Sequence, residues 1–228
     1  MYWQEDTKPQ AIKVDDEVVD LVFGVHCQCL PVDHSYALSQ AVQQELPWLA
    51  QEPVAGVHSI HVAASSNGWM RPDDPQALLH LSRRTRLVIR VPKHRIEETQ
   101  ALQGKTLDVA GHRLQVQQPS LRALSTLTTV FARHLASDDN LASEEAVLHW
   151  VARELQKNAI VAKKMLCGAA HDIATPQGPL RVRSLMIADL EAEESLRLQK
   201  FGIGPHRHLG CGLFIPHKGI NDVRSLDE

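Results

Sequence analysis

Apolar runs of two different periods alternate along this sequence, and their order narrows the fold before any single residue is considered. Val18 to Cys29 (VVDLVFGVHCQC) is a mixed apolar run rich in Val, the pattern of a buried strand. Leu30-Pro31-Val32-Asp33 breaks it, and Asp33 is placed to cap a helix whose Tyr36, Leu38, Ala41, Val42 and Leu46 recur at helical spacing until Pro47 ends it. Strands are expected over Gly56 to Ala63 and Thr85 to Val91, with a loop through Ser65-Ser66-Asn67-Gly68 between them. Lys93 to Leu102 reads as a short helix, and Thr106 to Val109 with Arg113 to Val116 as a hairpin turning on Ala110-Gly111. The order is β-α-β-β-α-β, the ferredoxin-like unit.

The same order then returns. A β-rich stretch from Leu121 to Leu135 leads to a helix from Ser143, its candidate cap, to Gln156, and then to a strand over Ile160 to Leu166. Leu180 to Ala188 is another strand, Glu191 to Lys200 a helix with acids in its first turn, and Leu213 to Ile215 a short last strand. The expected fold is therefore α+β: two tandem ferredoxin-like (RRM-like) domains, 1–118 and 119–228, joined near Pro119, with no sequence repeat between them. At 228 residues and 43% hydrophobic the chain can fill two such cores. No run approaches the ~18 apolar residues of a membrane span, and Met1 to Glu17 carries acids where a signal peptide needs a basic and then an apolar stretch. Four Cys form no repeated framework, so a reducing cytoplasm and no membrane partner are expected.

The net charge of -3 argues against a protein that coats nucleic acid indiscriminately, but the charge is unevenly placed. Residues 1–50 hold eight acids against Lys8 and Lys13, and the remaining 178 residues hold 22 basic and 19 acidic side chains. From Arg83 to Arg95 there are five Arg and one Lys with no acid, and from Arg197 to Lys218 two Arg, two Lys and three His with no acid. Either segment alone fits a solvated strand edge or loop; the two together point to a phosphate partner. Arg83, Arg84, Arg86 and Arg90 are the candidates in the first, and alternation puts Arg84, Arg86 and Arg90 on one face.

In the second segment four of the twelve Gly in the chain, Gly202, Gly204, Gly210 and Gly212, fall within eleven residues. That density asks the backbone for unusual dihedrals or for close approach to something. With His206, Arg207, His208 and Lys218 beside it, the segment could cradle a nucleic-acid backbone, or it could simply be a tight connection from helix to edge strand. It follows a helix, whereas a P-loop or dinucleotide fingerprint follows a strand and opens a helix, so both nucleotide motifs are disfavoured. His26-Cys27-Gln28-Cys29 and His206-Arg207-His208 each place two metal-ligand types together, yet neither has a second pair at zinc spacing, so no metal or other cofactor is expected. Ser39 and Ser195 stand in no nucleophile motif.

The stretch Gly-Ile-Gly-Pro-His-Arg-His-Leu-Gly-Cys-Gly-Leu-Phe-Ile-Pro-His-Lys from Gly202, preceded by Ser195-Leu196-Arg197-Leu198-Gln199, carries a resemblance together with Leu30-Pro31-Val32-Asp33-His34 and Leu81-Ser82-Arg83-Arg84-Thr85-Arg86-Leu87. Over roughly Val18 to Lys218 the chain resembles the CRISPR-associated repeat-processing endoribonucleases, most of all the compact subgroup first described from myxobacteria. The resemblance implies two ferredoxin-like domains with a C-terminal glycine-rich loop, and a repeat-RNA substrate cut to give mature CRISPR RNA. It also implies a metal-independent reaction in which a 2'-hydroxyl attacks the adjacent phosphate, leaving a 2',3'-cyclic phosphate and a 5'-hydroxyl. Other subunits of a CRISPR effector complex are further implied partners.

Such a reaction needs one proton removed and one supplied, which histidine can do near neutrality, and charge stabilised on phosphorus, which suits Arg or Lys. Thirteen His leave position to decide. His34 is the first candidate, because many family members carry a catalytic histidine on or near the first helix. His58 and His61 follow, facing opposite sides of an extended chain so that at most one reaches a common site. Tyr36 is a candidate to orient the 2'-hydroxyl. The competing functions are a noncatalytic RNA-binding module, weakened by ten aromatics and no Lys/Arg-Gly-Phe strand motif, and a subunit that only holds processed RNA in an effector complex.

Overall fold

The computed structural model describes residues 17–62, 74, 77–137 and 143–217. In chain order the strands are β1 (Val18–His26), β2 (Cys29–Pro31), β3 (Gly56–Val57), β4 (Leu78–His80), β5 (Arg86–Pro92), β6 (Thr106–Val109), β7 (His112–Ala123), β8 (Val130–Leu135), β9 (Lys164–Thr175), β10 (Gly178–Ala188) and β11 (Phe214–Pro216). The helices are α1 (Ser35–Glu45), α2 (Ile96–Gln100), α3 (Glu144–Lys157) and α4 (Ala192–Phe201). They build a mixed α and β chain around two main sheets, of order β3-β5-β1-β7-β6 and β11-β8-β10-β9, antiparallel throughout; β2 and β4 pair apart from both. No helix among the described residues is long and apolar enough to cross a membrane.

Alternation explains how the first sheet serves two masters. Val19, Leu21, Phe23 and Val25 of β1 enter one core with Leu38, Ala41 and Val42 of α1 and Leu87, Ile89 and Val91 of β5. Each Val, Leu, Ile or Phe among them contributes ~1.5–3 kcal/mol when fully buried. The opposite face of β1 carries Asp20, which is nonetheless buried because the C-terminal half covers it. The second sheet packs Val130 and Ala132 of β8 and Leu185 and Ile187 of β10 on Val147, Trp150, Val151 and Leu155 of α3 and Leu198 of α4.

Several boundaries differ from expectation for local reasons. The expected strand Val18 to Cys29 splits at Cys27 and Gln28, and β2 turns away to pair with β4. Only Gly56 and Val57 of the expected strand to Ala63 join the sheet; Ala63 and Ser65 to Gly68 lie outside the described residues. The joint expected near Pro119 falls within a strand. Pro119 lies inside β7, beside an irregularity where Phe23 pairs with Pro119 but Val25 with Val116, a position at which a missing N–H is tolerated. β7 stays paired with β1 through Ala123. The expected strand Ile160 to Leu166 begins instead at Lys164 and runs on to Thr175. Asp33 does not cap α1: His34 is the N-cap residue and the Asp33 carboxylate accepts from Ala174 N–H of β9 at 2.7 Å, tying the start of α1 to the second sheet. Ser143 does cap α3, its Oγ accepting from Ala146 N–H at 3.1 Å.

Candidate active site

A cleft of 620 Å³ opens where the two sheets meet. One wall comes from the N-terminal half, with Asp33 and Ser35 at the start of α1 and Ser59 and His61 just after β3. The other comes from the C-terminal half, with Phe131, Arg133 and His134 of β8 and His171 and Asp172 of β9. The rings of His134 and His171 meet edge to face with centroids 5.1 Å apart. Three imidazoles and a guanidinium therefore share one solvent-accessible space, a set able to accept a proton, donate one and hold an anion.

The sequence-predicted histidines part company here. His34 is 1% exposed and occupied on both sides: Nε2 accepts from Ile60 N–H at 3.0 Å, so Nδ1 carries the hydrogen and donates to Pro31 O at 2.9 Å. The ring of His34, the first candidate to move the proton, fastens the entry of α1 to the strand-exit segment at Ile60. His58 is enclosed as well, 3.8 Å from Asp20 Oδ1. Burial drives its pKa down, with Asp20 pulling the other way. His61 is exposed and lines the cleft. Tyr36 faces elsewhere: with Gln40, His206 and His208 it lines a separate cavity of 500 Å³.

The arginines separate too. Arg83 and Arg84 are exposed on the turn before β5. Arg86 is exposed but donates to the carbonyls of Arg83 and Thr85 at 2.9 and 2.8 Å. Arg90, expected on the same RNA face, is 0% exposed. It lies across the sheet from Asp20 and binds that carboxylate through Nε at 2.8 Å and Nη2 at 3.1 Å, while Nη1 donates to Gln199 O and Phe214 O at 2.7 and 2.8 Å. The shared face of Arg86 and Arg90 is real, but α4 and β11 cover its far end. Burial would raise the Asp20 carboxyl, yet Arg90, then His58, outweigh it and hold the pKa well below the usual carboxylate range. Arg122 adds a third contact at 3.0 Å.

Arg207 is likewise internal: its guanidinium donates to Phe201 O at 2.7 Å, Val54 O at 2.9 Å and Lys200 O at 3.2 Å. Burial pushes its pKa down to about 9, which still leaves it charged at neutrality. It therefore joins the two halves, its donors spent on backbone carbonyls. The glycines around it pack closely, most of them within the C-terminal half. Gly212 (φ +65) would set a Cβ 2.0 Å from Ile203 O, and Gly202 (φ +65) would set one 2.0 Å from Arg207 Nη1. A Cβ on Gly204 would lie 2.4 Å from Ala136 O, and one on Gly210 would lie 3.0 Å from Val57 O, 3.2 Å from Ser59 N and 3.9 Å from His134 Nδ1. His206 adopts φ +64, and burial, then His206, lowers the pKa of His208. Lys218 lies outside the described residues.

Sequence reading missed Arg133, His134 and His171. The available signal was two polar residues, Arg133-His134, in the middle of the apolar run Val130–Leu135. Nothing local marks His171. Among the described residues no three His, Cys, Asp or Glu side chains converge as a metal site; Cys29 Sγ lies 3.6 Å from His112 Nδ1, and burial pushes the Cys211 thiol up to about 12.

A family model described as Cas6 Crispr matches residues 19–219. The CRISPR-associated endonuclease Cas6 of Myxococcus xanthus is 32% identical over 198 residues, covering 87% of this chain and 81% of the relative. Among solved structures, one described as a RAMP protein binding different RNA substrates superposes with a TM-score of 0.63 at 11% identity, covering 88% of this chain and all of the other. Another, described as CRISPR associated protein Cas6, gives 0.59 at 10% identity over 88% and 99% of the two chains. At those identities the structures show a shared fold.

Proposed function

Since this chain belongs to the Cas6 family of CRISPR-associated proteins, we propose that it is an endoribonuclease that cuts precursor CRISPR RNA within the repeat. The observation that supports this reading is the cleft lined by His61, Arg133, His134 and His171. In the reaction the 2'-hydroxyl next to the scissile bond attacks phosphorus without a metal ion, and the products carry a 2',3'-cyclic phosphate and a 5'-hydroxyl. His61 takes the 2'-hydroxyl proton, and Arg133 faces the non-bridging oxygens, where a guanidinium counters developing charge.

The strand orders, 2-3-1-4 for β3, β5, β1 and β7 and 4-1-3-2 for β11, β8, β10 and β9, support two ferredoxin-like units in tandem, with the joint after Ala123 where pairing to β1 ends. The glycine-rich segment 202–212 then closes the C-terminal unit against the N-terminal one. RNA phosphates outside the cleft are met by exposed Arg83 and Arg84, with His206 and His208 beside Tyr36 as a second contact surface.

The test is incubation with the CRISPR repeats of the host genome in EDTA. Cleavage whose upstream fragment ends in a 3' terminus that resists ligation until its cyclic phosphate is removed, and whose downstream fragment begins with a 5' end that accepts phosphate from a kinase directly, is the expected result. Tight repeat binding without cleavage would assign the chain to a noncatalytic RNA-holding subunit instead.

A further inference from the structure

Displacement at phosphorus is in line: the bond from the attacking 2'-oxygen forms opposite the bond to the departing 5'-oxygen. The group that removes a proton and the group that supplies one must then stand on opposite sides of the phosphate, and a single histidine serves only one of them at a time. In this cleft the N-terminal wall contributes His61 and the C-terminal wall contributes His171. β9 is an edge strand, so His171 is exposed to the cleft and to solvent, from which a proton donor is recharged after each turnover. His134 beside it is 8% exposed and presents its ring to His171 at 5.1 Å, which limits the positions open to the His171 ring.

Two carboxylates brace the strand that bears His171. The carboxylates lining the cleft are Asp33 and Asp172, and both are tied to the strand that bears His171: Asp33 accepts from Ala174 N–H, and Asp172 is the next residue, paired with Arg181 at 3.1 Å. Through its bond to Ala174 N–H, Asp33 links the start of α1 on one wall of the cleft to β9 on the other. Resting on the reading above, we propose that His171 is the proton donor of the cleavage step, acting across the phosphate from His61. As the 2'-oxygen bonds to phosphorus its proton passes to His61, and as the phosphorus–5'-oxygen bond breaks that oxygen takes the proton of His171. Two protons move, no other reactant is consumed, and the two imidazoles exchange protonation states.

The test uses the full chain and two repeat RNAs, one natural and one with sulfur in place of the bridging 5'-oxygen at the cut site. A thiolate leaves without protonation, so the sulfur substrate does not need a proton donor. His171→Ala is expected to cut the natural RNA at least ~100-fold more slowly than wild type, with repeat affinity unchanged, and to cut the sulfur substrate within a few-fold of wild type. His61→Ala is expected to be slow on both, because loss of the base is not relieved by a better leaving group. His171→Gln, which keeps polarity without a transferable proton, should behave as His171→Ala does. A His171→Ala protein that cuts natural RNA like wild type, or that is equally slow on both substrates, overturns the assignment. Wild-type protein that binds the repeat and cuts neither RNA is a different result, and it overturns the endoribonuclease reading itself.

Discussion

Replacing Arg90 by Met removes a buried cation of similar length and tests whether this residue belongs to the interior or to an RNA face. The change deletes two hydrogen bonds to Asp20 and the bonds to Gln199 O and Phe214 O. Breaking a buried ion pair by removing one partner costs ~3–5 kcal/mol, since the other charge is left in low dielectric. Here the lower end applies to the carboxylate, because Arg122 still reaches Asp20 at 3.0 Å. The two carbonyls left without donors add about 1 kcal/mol each. A total near ~4–5 kcal/mol, at ~2–4 °C per kcal/mol for a chain of this size, lowers the melting temperature by ~8–20 °C. Thermal melts followed by circular dichroism measure this, alongside repeat-RNA binding at several salt concentrations well below the melt. Asp20→Asn combined with Arg90→Met should recover part of the loss, because no charge is then stranded. A variant that melts with the wild type but binds RNA more weakly, with a flatter salt dependence, would refute the buried assignment and restore Arg90 to the RNA surface.

Reversing charge at Arg83 and Arg84, which are exposed, should weaken RNA binding and flatten its salt dependence while leaving the melting temperature within about 1 °C; an unchanged salt slope would leave them as solvated charge. Gly212→Val should fail to give folded protein, since φ +65 alone costs ~1–2 kcal/mol for a side-chain-bearing residue and the Cβ would lie 2.0 Å from Ile203 O, whereas Gly111→Ala, with nothing within 4 Å, should cost only the left-handed penalty; soluble, cooperatively melting Gly212→Val would contradict the packing. Acid should destabilise the protein with one sign throughout. Asp20, held low, contributes stability present above its unfolded value of ~3.9 and lost as pH falls through its folded value; His58, driven down by burial, contributes stability present above ~6.5 and lost as pH falls through its own. Melting temperatures should therefore fall from about pH 6.5 downward and fall faster below about pH 4, and a rise between pH 7 and 5 would count against the buried cluster.

Local periodicity determined most of the element order by itself, because alternation in Val18–His26 and helical spacing in Ser35–Glu45 depend on neighbours within a few residues. The capping of α3 by Ser143 and the crowding of glycines after α4 were legible for the same reason. What those glycines are near was not. Only the packed chain brings Gly212 onto Ile203 and Gly210 onto Val57 and Ser59. Charge was the least reliable guide, since a basic run does not say which of its members another part of the chain will cover. Arg84 stays exposed, while six residues on Arg90 is sealed by carbonyls more than a hundred residues away. The candidate site followed the same rule: His34 looked catalytic from its place before a helix, but Pro31 and Ile60 hold both of its nitrogens, and the cleft is completed by His134 and His171. No local pattern could join His61 to those two, because the cleft that all three line exists only once two separate sheets have folded and met.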